Sequence, residues 1–111
     1  MKVAISVTPE FKRQLKPLAK KYKSIPADLR ALQKSLIDNP DQGSDLGNGI
    51  RKVRMAITSK GKGKSGGARI ITLQVIPTED SIEIKLLTIY DKADISNISD
   101  EYLDFIIQQA H

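Results

Sequence analysis

Cysteine is absent from the chain, aromatic residues are scarce and no long apolar run occurs. The absence of thiols excludes disulfides, thiolate zinc sites and a cysteine nucleophile, and it is typical of a reducing cytoplasmic compartment. The apolar stretch at residues 2–7 is too short for a signal peptide or a membrane span, so we expect a soluble protein. Aromatics make up 5% of the residues, which disfavours a module that binds RNA mainly by base stacking.

Positive charge is abundant and unevenly distributed. With 111 residues, the sequence is long enough for one compact domain over residues 1–111, and its formal net charge is +5. Between positions 51 and 69 every charged residue is basic: Arg51, Lys52, Arg54, Lys60, Lys62, Lys64 and Arg69. Such a basic segment predicts a polyanionic partner, above all nucleic acid, although solubility alone also favours an excess of basic residues.

The periodicity of apolar residues in the first part of the chain predicts a strand followed by two helices. Residues 2–7 alternate as a strand with one buried face, and Thr8-Pro9 is a typical helix start. A second helix begins near Ile25-Pro26 and ends near Asn39-Pro40. Pro17 lies inside the first helix and predicts a kink or a break there.

The second half of the chain reads as strands closed by a helix. Residues 42–49 are rich in glycine, aspartate and asparagine and predict a loop. Three strands are predicted, at residues 50–57, 68–76 and 81–90. Ser99 or Asp100 predicts the cap of a closing helix. The expected fold is α+β in the order β-α-α-β-β-β-α, with the two N-terminal helices packed on a small, mostly antiparallel four-stranded sheet and a C-terminal helix.

The most unusual segment is the lysine-glycine loop, which we define as residues 59–67 (SKGKGKSGG). Its lysines repel one another, so the loop is favourable where it meets phosphates, and its glycines let backbone N–H groups approach the same anions. A nucleotide-binding P-loop is excluded, because Thr58 stands where that motif requires glycine and a strand is predicted to follow. The alternative is a flexible loop whose lysines discourage aggregation. On the strand before it, Lys52 and Arg54 share one face.

Three stretches, in this order, resemble the toxins of type II toxin-antitoxin pairs in the RelE/HigB group: residues 50–54 (IRKVR), 59–71 (SKGKGKSGGARII) and 86–92 (LLTIYDK). The resemblance extends to the two N-terminal helices and to residues 95–99, so it covers nearly the whole chain. It implies a ribosome-dependent endoribonuclease that cuts messenger RNA and arrests translation until an antitoxin protein neutralises it. Neither a metal nor another cofactor is implied.

The resemblance also implies a chemistry and a set of residues. The ribose 2′-hydroxyl attacks the adjacent phosphate and leaves a cyclic phosphate, with basic side chains in place of a histidine pair. The single histidine, His111, is the last residue and is not expected to take part. The implied catalytic residues are Arg69, Lys52, Arg54, Tyr90 and Lys92. The implied RNA-binding residues are Arg51, Lys60, Lys62 and Lys64.

The roles of these residues are expected to differ. Arg69 is expected to bind the phosphate through its planar guanidinium, and Arg54 to stabilise charge. Lys52 or a loop lysine is the candidate general base, and the general acid stays open between Tyr90 and Lys92. Core packing is an alternative for Tyr90. Two other functions also stay open: a toxin like the related ParE proteins, which share the fold and act on DNA gyrase, and a plain RNA-binding module.

We expect Arg69→Ala to abolish growth arrest in cells and to leave the protein folded, because the loss of one donor to a transition-state phosphate costs roughly 3 to 4 kcal/mol. Growth after induction measures the first effect, and circular dichroism measures the second. Full toxicity of the folded variant would exclude Arg69 from the site.

Overall fold

The computed structural model describes residues 2–110, so His111 lies outside the described residues. Over these residues the chain forms three helices and five strands, and the predicted α+β class is confirmed. The strands are β1 (Lys2–Val7), β2 (Ser44–Gly47), β3 (Ile50–Met55), β4 (Ala68–Thr78) and β5 (Ser81–Asp91). The helices are α1 (Pro9–Lys21), α2 (Ile25–Asp38) and α3 (Asp100–Gln109), and Thr58–Lys60 forms a short 3-10 turn.

The strands of the described chain form one sheet in the order β1-β5-β4-β3-β2. β1 is parallel to β5, and the other neighbouring strands are antiparallel, as their short connections predict. The prediction of four strands is wrong, because Ser44–Gly47 lies in the segment predicted as a loop and pairs with β3. Positive φ angles at Gly47, Asn48 and Gly49 close this hairpin, so the turn residues of the segment serve a tight turn.

α1 begins at Pro9 and continues through Pro17 to Lys21, so the predicted break does not occur. Thr8 Oγ1 accepts a hydrogen bond from Phe11 N (3.2 Å) and caps the helix. Pro17 is exposed, and the backbone hydrogen bond lost there is offset by the packing of the helix on the sheet. Tertiary contacts therefore override the local preference of proline.

The sheet separates two hydrophobic cores. α1 and α2 pack on one face, which we call the hairpin face, where Phe11 and Ile70 are fully buried. α3 packs on the opposite face, which we call the α3 face, against Ile71 and Leu87. Burying a side chain of this size contributes roughly 1.5 to 3 kcal/mol relative to exposure. The sheet is thus stabilised from both sides, and its side chains have to be divided between two cores.

A β-bulge at Leu87 reverses this division along β5. The register between β5 and β4 skips Leu87. Ile84 and Leu86, before the bulge, belong to the hairpin-face core, whereas Tyr90, after it, belongs to the α3-face core. If the same residues formed a regular strand with no bulge, strict alternation would place Tyr90 on the face of Ile84 and Leu86, which is the hairpin face.

A buried polar cluster links α3 to α1. The Tyr102 hydroxyl donates to the carboxylate of Glu10 and lies 2.8 Å from Thr88 Oγ1. Arg13 donates two further hydrogen bonds to Glu10, at 2.8 and 3.0 Å. Burial opposes the ionisation of Glu10, but the hydrogen bonds from Arg13, Tyr102 and Gln14 outweigh it and lower the pKa of Glu10. Burial and the bond to Glu10 raise the pKa of Tyr102 to about 12, so its hydroxyl stays protonated at neutral pH.

We expect Tyr102→Phe to lower the free energy of unfolding by about 1.5 to 3 kcal/mol, because a buried carboxylate loses one of its hydrogen-bond donors. Urea unfolding at neutral pH measures this change. A variant as stable as the wild type would show that the link between α1 and α3 contributes nothing to the fold.

Candidate anion-binding site

Three neighbouring strands bring predicted site residues into one row on the α3 face. Arg54 of β3 lies opposite Arg69 of β4, and Arg69 lies opposite Tyr90 of β5. Lys52 lies on the same face as Arg54, because Val53 and Met55 alternate with them and pack in the hairpin-face core. This division of β3 is the one that the sequence predicts. Strand pairing therefore gathers residues from separate parts of the chain.

A concavity of about 420 Å³ lies beside this row. It is lined by Ser44, Lys52, Arg54, Arg69, Lys92, Ser96 and Asn97. Four of the five predicted catalytic residues thus lie together, and no carboxylate is among the described residues that line the concavity. The serines and Asn97 were missed, because short polar residues in connecting segments carry no distinctive sequence signal. Asn97 Oδ1 accepts a hydrogen bond from Lys52 Nζ (3.3 Å).

Arg69 is buried, and within residues 2–110 no carboxylate forms a salt bridge with it. Its Nη1 donates to the backbone oxygens of Lys64 (3.0 Å) and Ala68 (3.1 Å), and its Nη2 donates to that of Ser65 (3.1 Å). A guanidinium has five N–H donors, so Nε–H and one Nη2 hydrogen are left for a ligand. Arg69 therefore fastens the lysine-glycine loop and keeps donors for the concavity that it lines.

The electrostatics of the site favour an anion. Burial lowers the pKa of Arg69, Arg54 lowers it further, and Tyr90 has the opposite effect. The guanidinium still carries its charge at neutral pH. Arg54 is exposed and makes no hydrogen bond to any other described residue. An anion that enters the concavity would relieve the repulsion between these cations.

Tyr90 is a core residue, which is the alternative that the sequence left open. It packs in the α3-face core, and its hydroxyl is buried without a hydrogen-bond partner among residues 2–110. Burial raises the pKa of Tyr90, and Arg69 partly offsets this effect. Tyr90 is not among the residues that line the concavity. It lies opposite Arg69 in the neighbouring strand and packs in the α3-face core.

The residues predicted to bind RNA occupy different positions. Lys64 lines two hollows that adjoin Arg54, and Lys62 is exposed on the loop. Arg51 alternates with the site residues of β3 and therefore lies on the opposite face, where its guanidinium donates to Gly43 O (3.3 Å). Of these residues, Lys64 lies nearest to the predicted catalytic set.

Lys60 forms a buried ion pair with Asp91, so its position does not match the expected contact with RNA. Its Nζ lies 2.8 Å from Asp91 Oδ1 and also donates to Gly66 O (3.0 Å). The Tyr22 hydroxyl donates to the second carboxylate oxygen of Asp91 (2.8 Å). This pair connects the two ends of the lysine-glycine loop to the end of β5. The only sequence signal for it is a lone acidic residue between Tyr90 and Lys92.

Residues 2–110 give no support to a metal site or to a membrane-spanning helix. Within residues 2–110, no group of three potential ligand side chains is placed to hold a metal ion. Each helix of the described chain is too short or too polar to cross a membrane. A scan against protein-family models finds none that matches this chain.

We expect Asp91→Asn to destabilise the fold by roughly 3 to 5 kcal/mol, because the Lys60 ammonium loses its buried partner. Burial opposes the ionisation of Asp91, but hydrogen bonds from Lys60, Ala93 N and Tyr22 lower its pKa. A carboxylate with a lowered pKa stabilises the fold above roughly pH 4, and this contribution is lost as the pH falls further. The acid-dependent part of the unfolding free energy should therefore shrink in the variant.

Urea unfolding at neutral and at acid pH measures both effects, and Asp94→Asn is the matched control. Asp94 is exposed, so its variant should stay within about 0.5 kcal/mol of the wild type. Trypsin, which cuts after lysine, should also cleave the loop at Lys62 and Lys64 faster in Asp91→Asn. Unchanged loop cleavage would contradict the role given to the ion pair.

Proposed function

We propose that this chain is the toxin of a type II toxin-antitoxin pair, of the RelE/HigB kind, and that it is a metal-independent endoribonuclease acting on messenger RNA in the ribosome. The observation that supports it is the concavity lined by Lys52, Arg54, Arg69 and Lys92 with no carboxylate among its described lining residues. Such a site favours a polyanion over a neutral ligand. A substrate on the ribosome places the protein in the cytoplasm.

In the proposed reaction the ribose 2′-oxygen attacks the adjacent phosphorus, and the bond from phosphorus to the 5′-oxygen of the next nucleotide breaks. One product ends in a 2′,3′-cyclic phosphate and the other in a 5′-hydroxyl. Negative charge accumulates on the non-bridging oxygens while phosphorus is five-coordinate. The free Nε–H and Nη2–H of Arg69, together with Arg54, stabilise this charge. Arg69 is already held by loop carbonyls, so little reorganisation is needed.

Two lysines are the candidates for the proton transfers. Lys52, held by Asn97, is the candidate base for the 2′-hydroxyl, a role that a lysine can take only in its neutral amine form. Lys92 lines the same concavity and is the candidate donor to the leaving 5′-oxygen. Tyr90 is less suited to this task, because its hydroxyl is buried. We assign Tyr90 the role of packing beside Arg69.

A cognate antitoxin is part of the proposal. Charge complementarity predicts that it covers the concavity with acidic side chains or keeps the toxin away from the ribosome. The main alternative is a toxin of the ParE kind, which acts on DNA gyrase without cutting RNA. Such a toxin has no need of cations gathered in one concavity, so the cluster favours the nuclease.

We expect Arg54→Gln to lower the cleavage rate by roughly 100- to 1000-fold, because one donor to the developing charge is lost. Arg54 makes no hydrogen bond to another described residue, so the fold should be unaffected. Arg30→Gln, an exposed cation on α2, is the matched control and should cut at the wild-type rate. The readout is cleavage of messenger RNA on purified ribosomes, with product ends mapped by sequencing. Equal rates for both variants would contradict the proposed site.

A further inference from the structure

A second hollow adjoins the cationic concavity and has a different character. It has a volume of about 270 Å³ and lies between α2 and the end of β3. Buried Leu32 and Met55 contribute apolar surface to it, and the small side chains of Ala31 and Ser35 leave its α2 wall open. The hollow is therefore suited to a flat, largely apolar group.

Polar atoms at its rim are available to a ligand. Gln42 Nε2 donates to Ser35 Oγ (2.8 Å) and to Asn39 O (3.3 Å), which uses both of its hydrogens. Gln42 Oε1 accepts no hydrogen bond from any residue between 2 and 110 and is left as an acceptor. Asp28, by contrast, is occupied by Thr58 and Ser24. The rim therefore offers one free amide oxygen beside apolar surface.

The hollow lies on the hairpin face and the cationic concavity on the α3 face, and Arg54 lines both at the edge of the sheet, where β3 extends beyond its pairing with β2. Lys64 lines the hollow from the loop side, and a third depression lined by Lys52, Arg54 and Lys64 lies between the two. A ligand that spans them would place an anion beside Arg54 on one side and a flat group on the other. A nucleotide has this combination of phosphate and planar base.

We propose that the hollow between α2 and β3 binds the nucleobase next to the scissile phosphate and so determines the base preference of cleavage. The faces of the base pack against Leu32 and Met55, and an exocyclic amino group donates to Gln42 Oε1. Bases without an amino group at that edge leave this acceptor unpaired and bind less tightly. The inference rests on the proposed function, because it requires RNA in the adjoining concavity.

The test compares Ala31→Met, which fills the hollow from α2, with Ala27→Met, which makes the same exchange one turn earlier outside it. Both positions are exposed, so both variants should fold, and urea unfolding checks this. The probes are inorganic phosphate and the dinucleotide ApA with a 2′-O-methyl group, which blocks the attacking hydroxyl. Ala31→Met should weaken binding of the dinucleotide by about tenfold and leave binding of phosphate unchanged. Ala27→Met should affect neither affinity.

Sequencing of the cut ends provides the second readout. Ala31→Met should flatten the base frequencies beside the cut, whereas Ala27→Met should retain them. The inference is overturned if wild type and Ala31→Met bind the dinucleotide equally and cut with the same base frequencies, while wild-type cleavage itself supports the proposed function. If the wild type binds neither probe and cuts no RNA, the proposed function fails and the inference fails with it.

Discussion

The carboxylate of Asp91 connects three parts of the chain. It accepts hydrogen bonds from Tyr22, the residue after α1, and from Lys60 at the start of the lysine-glycine loop, and it closes β5. Lys60 also holds Gly66 O, so one ammonium group joins the two ends of the loop. The loop carbonyls are thereby kept where Arg69 can bind them. An ion pair on the hairpin face thus supports a site on the opposite face of the sheet.

Four cations in one concavity repel one another, so the site is tolerable only because neutral groups hold the cations in place. Backbone carbonyls hold Arg69, and the Asn97 amide holds Lys52. Partial charges of this kind restrain a cation without neutralising it, whereas a carboxylate would cancel its charge. The potential of the concavity is therefore preserved for a ligand, which is what a site for a phosphate requires.

The periodicity of apolar residues and the capping residues correctly predicted the features that depend on residues close together in sequence. The alternation along β3 correctly separated Lys52 and Arg54 from Val53 and Met55. The three helices were also found, since capping residues and apolar stripes are local features. The gathering of Lys92 with Arg54 and Arg69 required strand pairing, which the family resemblance suggested and which composition could not supply.

What was missed depends on tertiary position. β2 has little strand propensity in Ser44–Gly47 and forms because β3 offers it an edge. The Lys60–Asp91 pair joins residues far apart in sequence, so a lysine that reads as a free cation is in fact occupied. The hollow beside Arg54 depends on small side chains of α2 lying against β3, which no motif signals.

The extra residue in β5 has a consequence for how this strand tolerates change. Because Leu87 shifts the parity of the strand, Ile84 and Leu86 before the bulge and Ile89 after it pack in the hairpin-face core, whereas Leu87 and Tyr90 pack in the α3-face core. Substitutions along β5 are thus constrained by two unrelated packing environments. Losing or gaining one residue at a position other than the bulge would move the side chains beyond it to the opposite face of the sheet, so the length of the strand is under a stricter constraint than the composition of any single position.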